Sequence, residues 1–388
     1  MSVEFVGGNL VRLLESGDAY FPALEAAIEQ AQQEIYLETY IFADDPTGIR
    51  IAAALGRAAR RGVAVRVLVD GFGSHEFPQT LGPTLIADGV SVLVYRAQIS
   101  WLTLRRNRLR RLHRKLVVID ARIAFVGGIN IIEDTNTPNQ IPPRIDYTVE
   151  VEGPVLAAIQ HAASLLWRQV SWAALRHRAP VLPSPQPAEP RGTVRAAFVI
   201  RDNFRHRRDI EHAYLDAIGR AKKEILMANA YFLPGRSLRL ALIDAAARGV
   251  NVMVLLQGKV EYGLLHYATQ SLYARLLGAN VRVFEYHRSF LHAKVAVIDQ
   301  NWTTVGSSNI DPFSLLLARE ANLVVRDTGF AQTLRASLQR AMDSGAREIG
   351  NDELARKSIA SRTMSRIAYS LVRLAIGVTR FGGQEYRD

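Results

Sequence analysis

Apolar residues along this chain follow two rhythms, and the whole succession occurs twice. Ala23 to Gln33 carries helical spacing and leads into a short apolar run, Glu34 to Phe42. A second helical stretch closes on Arg61-Gly62-Val63 and gives way to a β-branched run, Val65 to Val69. Val90 to Tyr95 reads as another strand. The second half restates this order with His212 to Lys223, Glu224 to Phe232, a helix ending on Arg248-Gly249-Val250, Val252 to Leu256, and Val281 to Tyr286. Strands alternating with helices predict an α/β fold of two domains, each a mixed β-sheet flanked by helices. Ala179 to Gly192 holds five of the fifteen prolines and reads as an extended linker. The expected boundaries are therefore 1–178, a linker at 179–191, a second domain at 192–345 and a tail at 346–388.

Composition narrows the function. At 388 residues and 48% hydrophobic content, the chain is long and apolar enough for two packed domains. It has no cysteine, which excludes disulfides, thiol catalysis and cysteine-ligated metal sites. Met1 to Gly17 lacks a basic start followed by an apolar core, so no signal peptide is expected. No run of about 18 apolar residues predicts a spanning helix. The net charge of +11 points to polyanionic partners, lipid surface or nucleic acid.

The chemistry lies in a motif that is also doubled. His113-Arg114-Lys115, Asp120, Gly127-Gly128 and Asn130 match His292-Ala293-Lys294, Asp299, Gly306-Ser307 and Asn309 at identical spacing. Only six of the 48 basic residues are lysines, yet both motif positions hold Lys, so a compact charge is wanted there. Leu116 to Ile119 and Val295 to Ile298 read as buried strands. Side chains two apart share a strand face, so His113 and Lys115 point together, as do His292 and Lys294. Asp120 and Asp299 fall on the opposite parity and are expected to brace the following turn. Asn130 and Asn309 can donate amide hydrogens, and Ser307 and Ser308 add hydroxyls to the phosphate side of the second copy. Two histidines and two lysines suit phosphodiester transfer: one imidazole attacks phosphorus, the other shuttles the proton, and the cations hold the oxygens. Nothing in this scheme requires a cofactor or a metal, since H-x-K offers one good metal ligand per copy.

Both copies follow the pattern of the phospholipase D superfamily, with its two HKD motifs. The chain resembles that superfamily over roughly residues 8–345. Gly8 to Gly17, Tyr20-Phe21-Pro22-Ala23-Leu24, Leu37-Glu38-Thr39-Tyr40-Ile41-Phe42 and Tyr231-Phe232-Leu233-Pro234 are similar to the bacterial cardiolipin synthase branch, in its shorter form without two N-terminal membrane spans. The resemblance implies two pseudo-twofold-related domains with the site between them. It further implies a downstream carboxylate orienting each histidine, matched here by Asp146 and Glu320. By analogy His113 is the nucleophile and His292 the acid/base.

The substrate rests on less. The run from Trp101 to Lys115 holds seven Lys/Arg and no acid, with Arg105, Arg106 and Arg108 at its centre. In the tail, Met364, Ile367, Leu371, Leu374 and Val378 recur at helical spacing, and Arg362, Arg366 and Arg373 lie between them. That predicts a basic amphipathic helix, made either for an anionic membrane interface or for packing on the protein. The expectation is a peripheral enzyme on the cytoplasmic face of a bacterial membrane, taking phosphatidylglycerol as donor and a second lipid hydroxyl as acceptor. Water as acceptor, giving phosphatidic acid, and a metal-independent nuclease are the alternatives. Few aromatics near the arginines disfavour nucleic acid.

Overall fold

The computed structural model describes residues 3–96, 110–174, 188–259, 263–352 and 359–378. In the first half the order is β1 (Val6–Glu15), α1 (Ser16–Glu29), β2 (Glu34–Thr39), α2 (Pro46–Arg60), β3 (Ala64–Asp70), α3 (Leu81–Ala87), β4 (Ser91–Tyr95), β5 (Lys115–Ile119), β6 (Ile123–Gly127), β7 (Arg144–Ile145), β8 (Tyr147–Glu152) and α4 (Leu156–Ala173). The second half runs β9 (Val194–Arg201), α5 (Asp209–Arg220), β10 (Glu224–Asn229), α6 (Arg236–Ala247), β11 (Asn251–Gln257), α7 (Gly263–Leu277), β12 (Arg282–Tyr286), β13 (Phe290–Leu291), β14 (Lys294–Ile298), β15 (Trp302–Gly306), α8 (Pro312–Leu316), β16 (Glu320–Arg326), α9 (Thr328–Gly345) and β17 (Ala346–Glu348). A last helix, α10 (Ile359–Val378), follows.

Local chemistry sets several of these boundaries. Asp45 caps α2 by accepting the Gly48 N–H at 2.8 Å, with Pro46 at the first helical position. Gly62, at φ 95°, then allows the turn into β3. Helix α1 starts at Ser16 instead of Ala23, because the apolar positions Tyr20, Phe21 and Leu24 continue its buried face backwards.

The strands join into one sheet in the order β17-β12-β11-β10-β14-β15-β16-β9-β1-β8-β6-β5-β2-β3-β4. Read outward from the β9–β1 seam, the two directions match strand for strand as far as β12 and β4, and β17 extends the second half by one more. On each side two parallel pairs (β2–β3–β4, β10–β11–β12) adjoin an antiparallel motif strand, β5 or β14. The seam is antiparallel, as a twofold requires, and irregular between Val6 and Asn9. Fully buried Asn9 closes that irregularity: its amide donates to the Val6 and Val194 carbonyls, and its Oδ1 accepts the Val155 N–H. Alternation along β5 feeds two cores. Leu116 and Val118 pack with α4 and α9 on one face, and Val117 and Ile119 with α1, α2 and α3 on the other.

The segment 175–187, most of the expected linker, lies outside the described residues, as do Arg105, Arg106 and Arg108. Helix α10 packs on α7. No helix among the described residues is long and apolar enough to cross a membrane.

Candidate active site

The histidines sit just before β5 and β14, and each is held by the opposite half. The His113 N–H donates to the Arg319 carbonyl at 2.9 Å, one residue before Glu320. The His292 N–H donates to the Ile145 carbonyl at 2.8 Å, one residue before Asp146, where β13 pairs parallel with β7. Backbone register therefore delivers each imidazole to the other half's carboxylate. His113 Nδ1 lies 3.0 and 3.1 Å from the Glu320 oxygens, and His292 Nδ1 lies 2.6 Å from Asp146 Oδ2. Sequence order alone pairs each histidine with the carboxylate that follows it. The fold exchanges them, because the residues just before each histidine pair with those just before the other half's acid, β13 with β7 and Leu112 with Arg319. A carboxylate at Nδ1 favours the tautomer with its proton there and a lone pair on Nε2, while at His292 the Lys294 ammonium, 2.7 Å from the same Nδ1, shares that position.

Burial tunes the cluster. It pushes both imidazoles below their ordinary 6.5, against the pull of their carboxylates, so both rest neutral at neutral pH. Lys115 is lowered to about 7, first by burial, with Glu320 opposing and Lys294 assisting. Burial also weakens the hold of Lys294 on its proton, while Asp146 at 3.2 Å restores part of it. Asp146 feels burial too, but Lys294 and His292 outweigh it and hold the carboxyl below its usual range.

The lysines are not equally engaged. Lys115 Nζ donates to the His113 carbonyl at 2.9 Å and faces the Tyr40 ring at 5.2 Å. Lys294 Nζ contacts Asp146, the His292 carbonyl and His292 Nδ1. Asp120 and Asp299 stand at the far ends of the motif strands, five residues beyond the lysines and roughly 17 Å from them at strand rise. Both adopt positive φ, 53° and 51°. Asp120 accepts the N–H groups of Gln32, Gln33 and Glu34, and Asp299 those of Lys222, Lys223 and Glu224. They brace the turn that enters β2 or β10, not the turn after their own strand, and touch no reacting group.

Asn130 Oδ1 accepts the Ile41 N–H and Asn309 Oδ1 the Tyr231 N–H, which leaves the amide hydrogens uncommitted among the described residues. The serines need correction as phosphate ligands. Ser307 donates to Glu320 at 2.6 Å, and Ser308 to the Asn309 carbonyl. Both hydroxyls are buried and turned into the protein. At Gly128, the counterpart of Ser307, a Cβ would lie 2.2 Å from Asp146 Oδ1. Of the tail arginines, Arg366 is exposed and Arg373 lies over the Tyr369 ring; the Arg362 side chain lies outside the described residues.

Sequence reasoning missed four contributing residues. Tyr40 meets the His113 ring edge-on at 4.9 Å. Gln257 accepts the Leu291 N–H and donates to Gln140, fixing β13 beside His292. Behind the first motif, Glu38 and Arg114 form a buried pair at 3.3 Å. Tyr40 and Glu38 stand in the Leu37–Phe42 run beside the motif strand. Their polarity in an apolar strand was the available signal.

Two half-buried imidazoles with paired carboxylates and lysines, built from both halves, define a phosphodiester-transfer enzyme of the phospholipase D class. A family model described as cardiolipin synthase, PLD-like domain, matches residues 24–140 and 214–342, and the chain belongs to that family. It is 42% identical over 376 residues to cardiolipin synthase B of Salmonella typhi, covering 94% of this chain and 88% of that protein. Cardiolipin synthase B of Escherichia coli K12 is 39% identical over the same length. Phosphatidylserine synthase of Haemophilus influenzae shares the fold, with a TM-score of 0.69 at 12% identity over 98% of this chain and 97% of that one.

Proposed function

We propose that the chain is a peripheral phosphatidyltransferase of the cardiolipin synthase type, working at the cytoplasmic face of a bacterial membrane. Its donor is phosphatidylglycerol and its acceptor the hydroxyl of a second lipid headgroup. His113 Nε2 attacks phosphorus and the bond to the glycerol oxygen breaks. His292, its proton affinity raised by the bound phosphate anion, protonates the leaving glycerol. The acceptor hydroxyl then gives its proton to His292 as its oxygen attacks phosphorus. The P–N bond breaks and His113 is regenerated. Lys115 and Lys294 hold the non-bridging oxygens, with Asn130 and Asn309 donating beside them.

The observation that carries this reading is the exchanged carboxylate pairing. It engages Nδ1 of both imidazoles, so that Nε2 of one can serve as nucleophile and Nε2 of the other as proton shuttle. Purified protein with phosphatidylglycerol should yield cardiolipin and glycerol. His113→Ala and His292→Ala should each cost at least about 10³-fold. Full activity in either variant would refute the two-histidine scheme, and phosphatidic acid as the main product would make water the acceptor.

A further inference from the structure

Helix α10 has three sides, not two. Ser365, Ala368 and Val372 are buried and seat it on α7, and Tyr369 receives a hydrogen bond from Arg239 of α6. Small residues on that side let the helices approach closely. The longer apolar residues are left outside: Met364 is 53% exposed, Ile367 and Leu371 50%, and Leu374 64%. Their spacing of three, four and three places them on one ridge, roughly 15 Å long at helical rise. Arg366 and Arg373 occupy the third side. The partner helix adds Leu264 and Tyr267, also exposed. An exposed apolar ridge flanked by cations marks a docking surface and not a packing leftover.

Charge identifies the occupant. Residues 263–277 and 359–378 contain four arginines and no acid, while the whole chain has 37 Asp and Glu. A stretch of that length would carry roughly three acids at the chain's average, so the pair is cleared of groups that an anionic surface would repel. Position agrees. The first turns of α7 line a small cavity with Tyr231, Gln257 and Lys259, and Tyr231 and Gln257 bond to the motif Asn309 and to the residue before His292.

We infer that the α7–α10 pair is the surface that seats the enzyme on an anionic bilayer. The Met364–Leu374 ridge enters the acyl boundary, Arg366 and Arg373 lie at the phosphates, and the second half of the site faces the membrane. This deepens the proposed function and rests on it only for the identity of the lipid. The test is flotation with phosphatidylglycerol/phosphatidylcholine vesicles, read without turnover, so failure of cardiolipin synthesis leaves it intact. A triple variant, Ile367→Ser, Leu371→Ser and Leu374→Ser, should bind at least about tenfold more weakly with an unchanged melting temperature, since the replaced side chains are exposed. In a second variant, Leu371→Trp, the fluorescence should shift to the blue on these vesicles and not on phosphatidylcholine alone. Wild-type binding by the triple variant, or no Trp shift, would overturn the inference. So would a loss of self-association in the triple variant with vesicle binding unchanged, because the ridge would then cover a second copy.

Discussion

Behind His113 the first half buries Glu38 against Arg114; at the matching positions the second half has Ala228 and Ala293. The equivalence is one of register: Glu38 faces Leu116 across β2–β5 as Ala228 faces Val295 across β10–β14. Next to the orienting acids the contrast runs the other way. Asp146 packs against Gly128 with no room for a side chain, while Glu320 receives the Ser307 hydroxyl. One skeleton thus supports two surroundings. Since each histidine takes its carboxylate from the other half, neither half holds a working unit alone. Such a site tolerates divergence around the motif as long as the exchanged pairing holds.

The buried pair offers the largest break. Burial raises the Glu38 carboxyl and lowers the Arg114 guanidinium, and among the described residues both Glu38 oxygens and Arg114 Nε and Nη1 lack a hydrogen bond. Glu38→Ala strands a cation that cannot shed its charge and should cost about 3–5 kcal/mol by chemical denaturation. Arg114→Ala should cost less, because Glu38 can take up a proton. The double change, which copies the second half, should cost less than Glu38→Ala alone. Additive losses would mean that the pair is not coupled.

Swapping the residues beside the acids is the next contrast. Gly128→Ser should displace Asp146 and lower turnover by about 10²-fold, with the loss following His292. Ser307→Gly removes one hydrogen bond to a carboxylate and should cost about tenfold. Equal losses would remove the asymmetry.

The smallest effect concerns the lysines. Lys115 must carry charge to hold phosphate, and burial lowers it to about 7, so kcat/KM should fall as pH rises past neutrality. His113 must be neutral in the free enzyme to attack phosphorus, so the acid limb set by its imidazole should lie below 6.5. Lys115→Arg keeps its charge and should move the alkaline limb upward at a lower maximum rate. An unmoved limb would assign it to another group.

Sequence reading reached the motif strands and the shared face of His113 and Lys115, because both follow from a period of two inside one segment. It also separated Asp120 and Asp299 from the reacting groups by parity, although the turns they brace lie about 80 residues away along the chain, a matter of tertiary packing. The seam through Asn9 and the exchange of Asp146 and Glu320 depend on register between strands of different halves, which no local pattern encodes. Ser307 and Ser308 show the limit of counting polar groups: burial turned both hydroxyls inward. In the tail, periodicity predicts a basic amphipathic helix but not which of its sides docks on α7.

The central claim is that each histidine is served by the other half's carboxylate. It can be read in the first step alone, with a phosphatidyl ester of p-nitrophenol, whose leaving group needs no proton. Rapid mixing should give a one-equivalent burst of nitrophenolate in wild type, in His292→Ala and in Asp146→Asn. The burst should vanish in His113→Ala and slow by about 10²–10⁴-fold in Glu320→Gln, which withdraws the orienting charge. The account requires Glu320→Gln to behave like His113→Ala, and Asp146→Asn like His292→Ala. If Asp146→Asn instead abolished the burst together with His113→Ala while Glu320→Gln kept it, the carboxylates would serve their own halves and the account would be wrong.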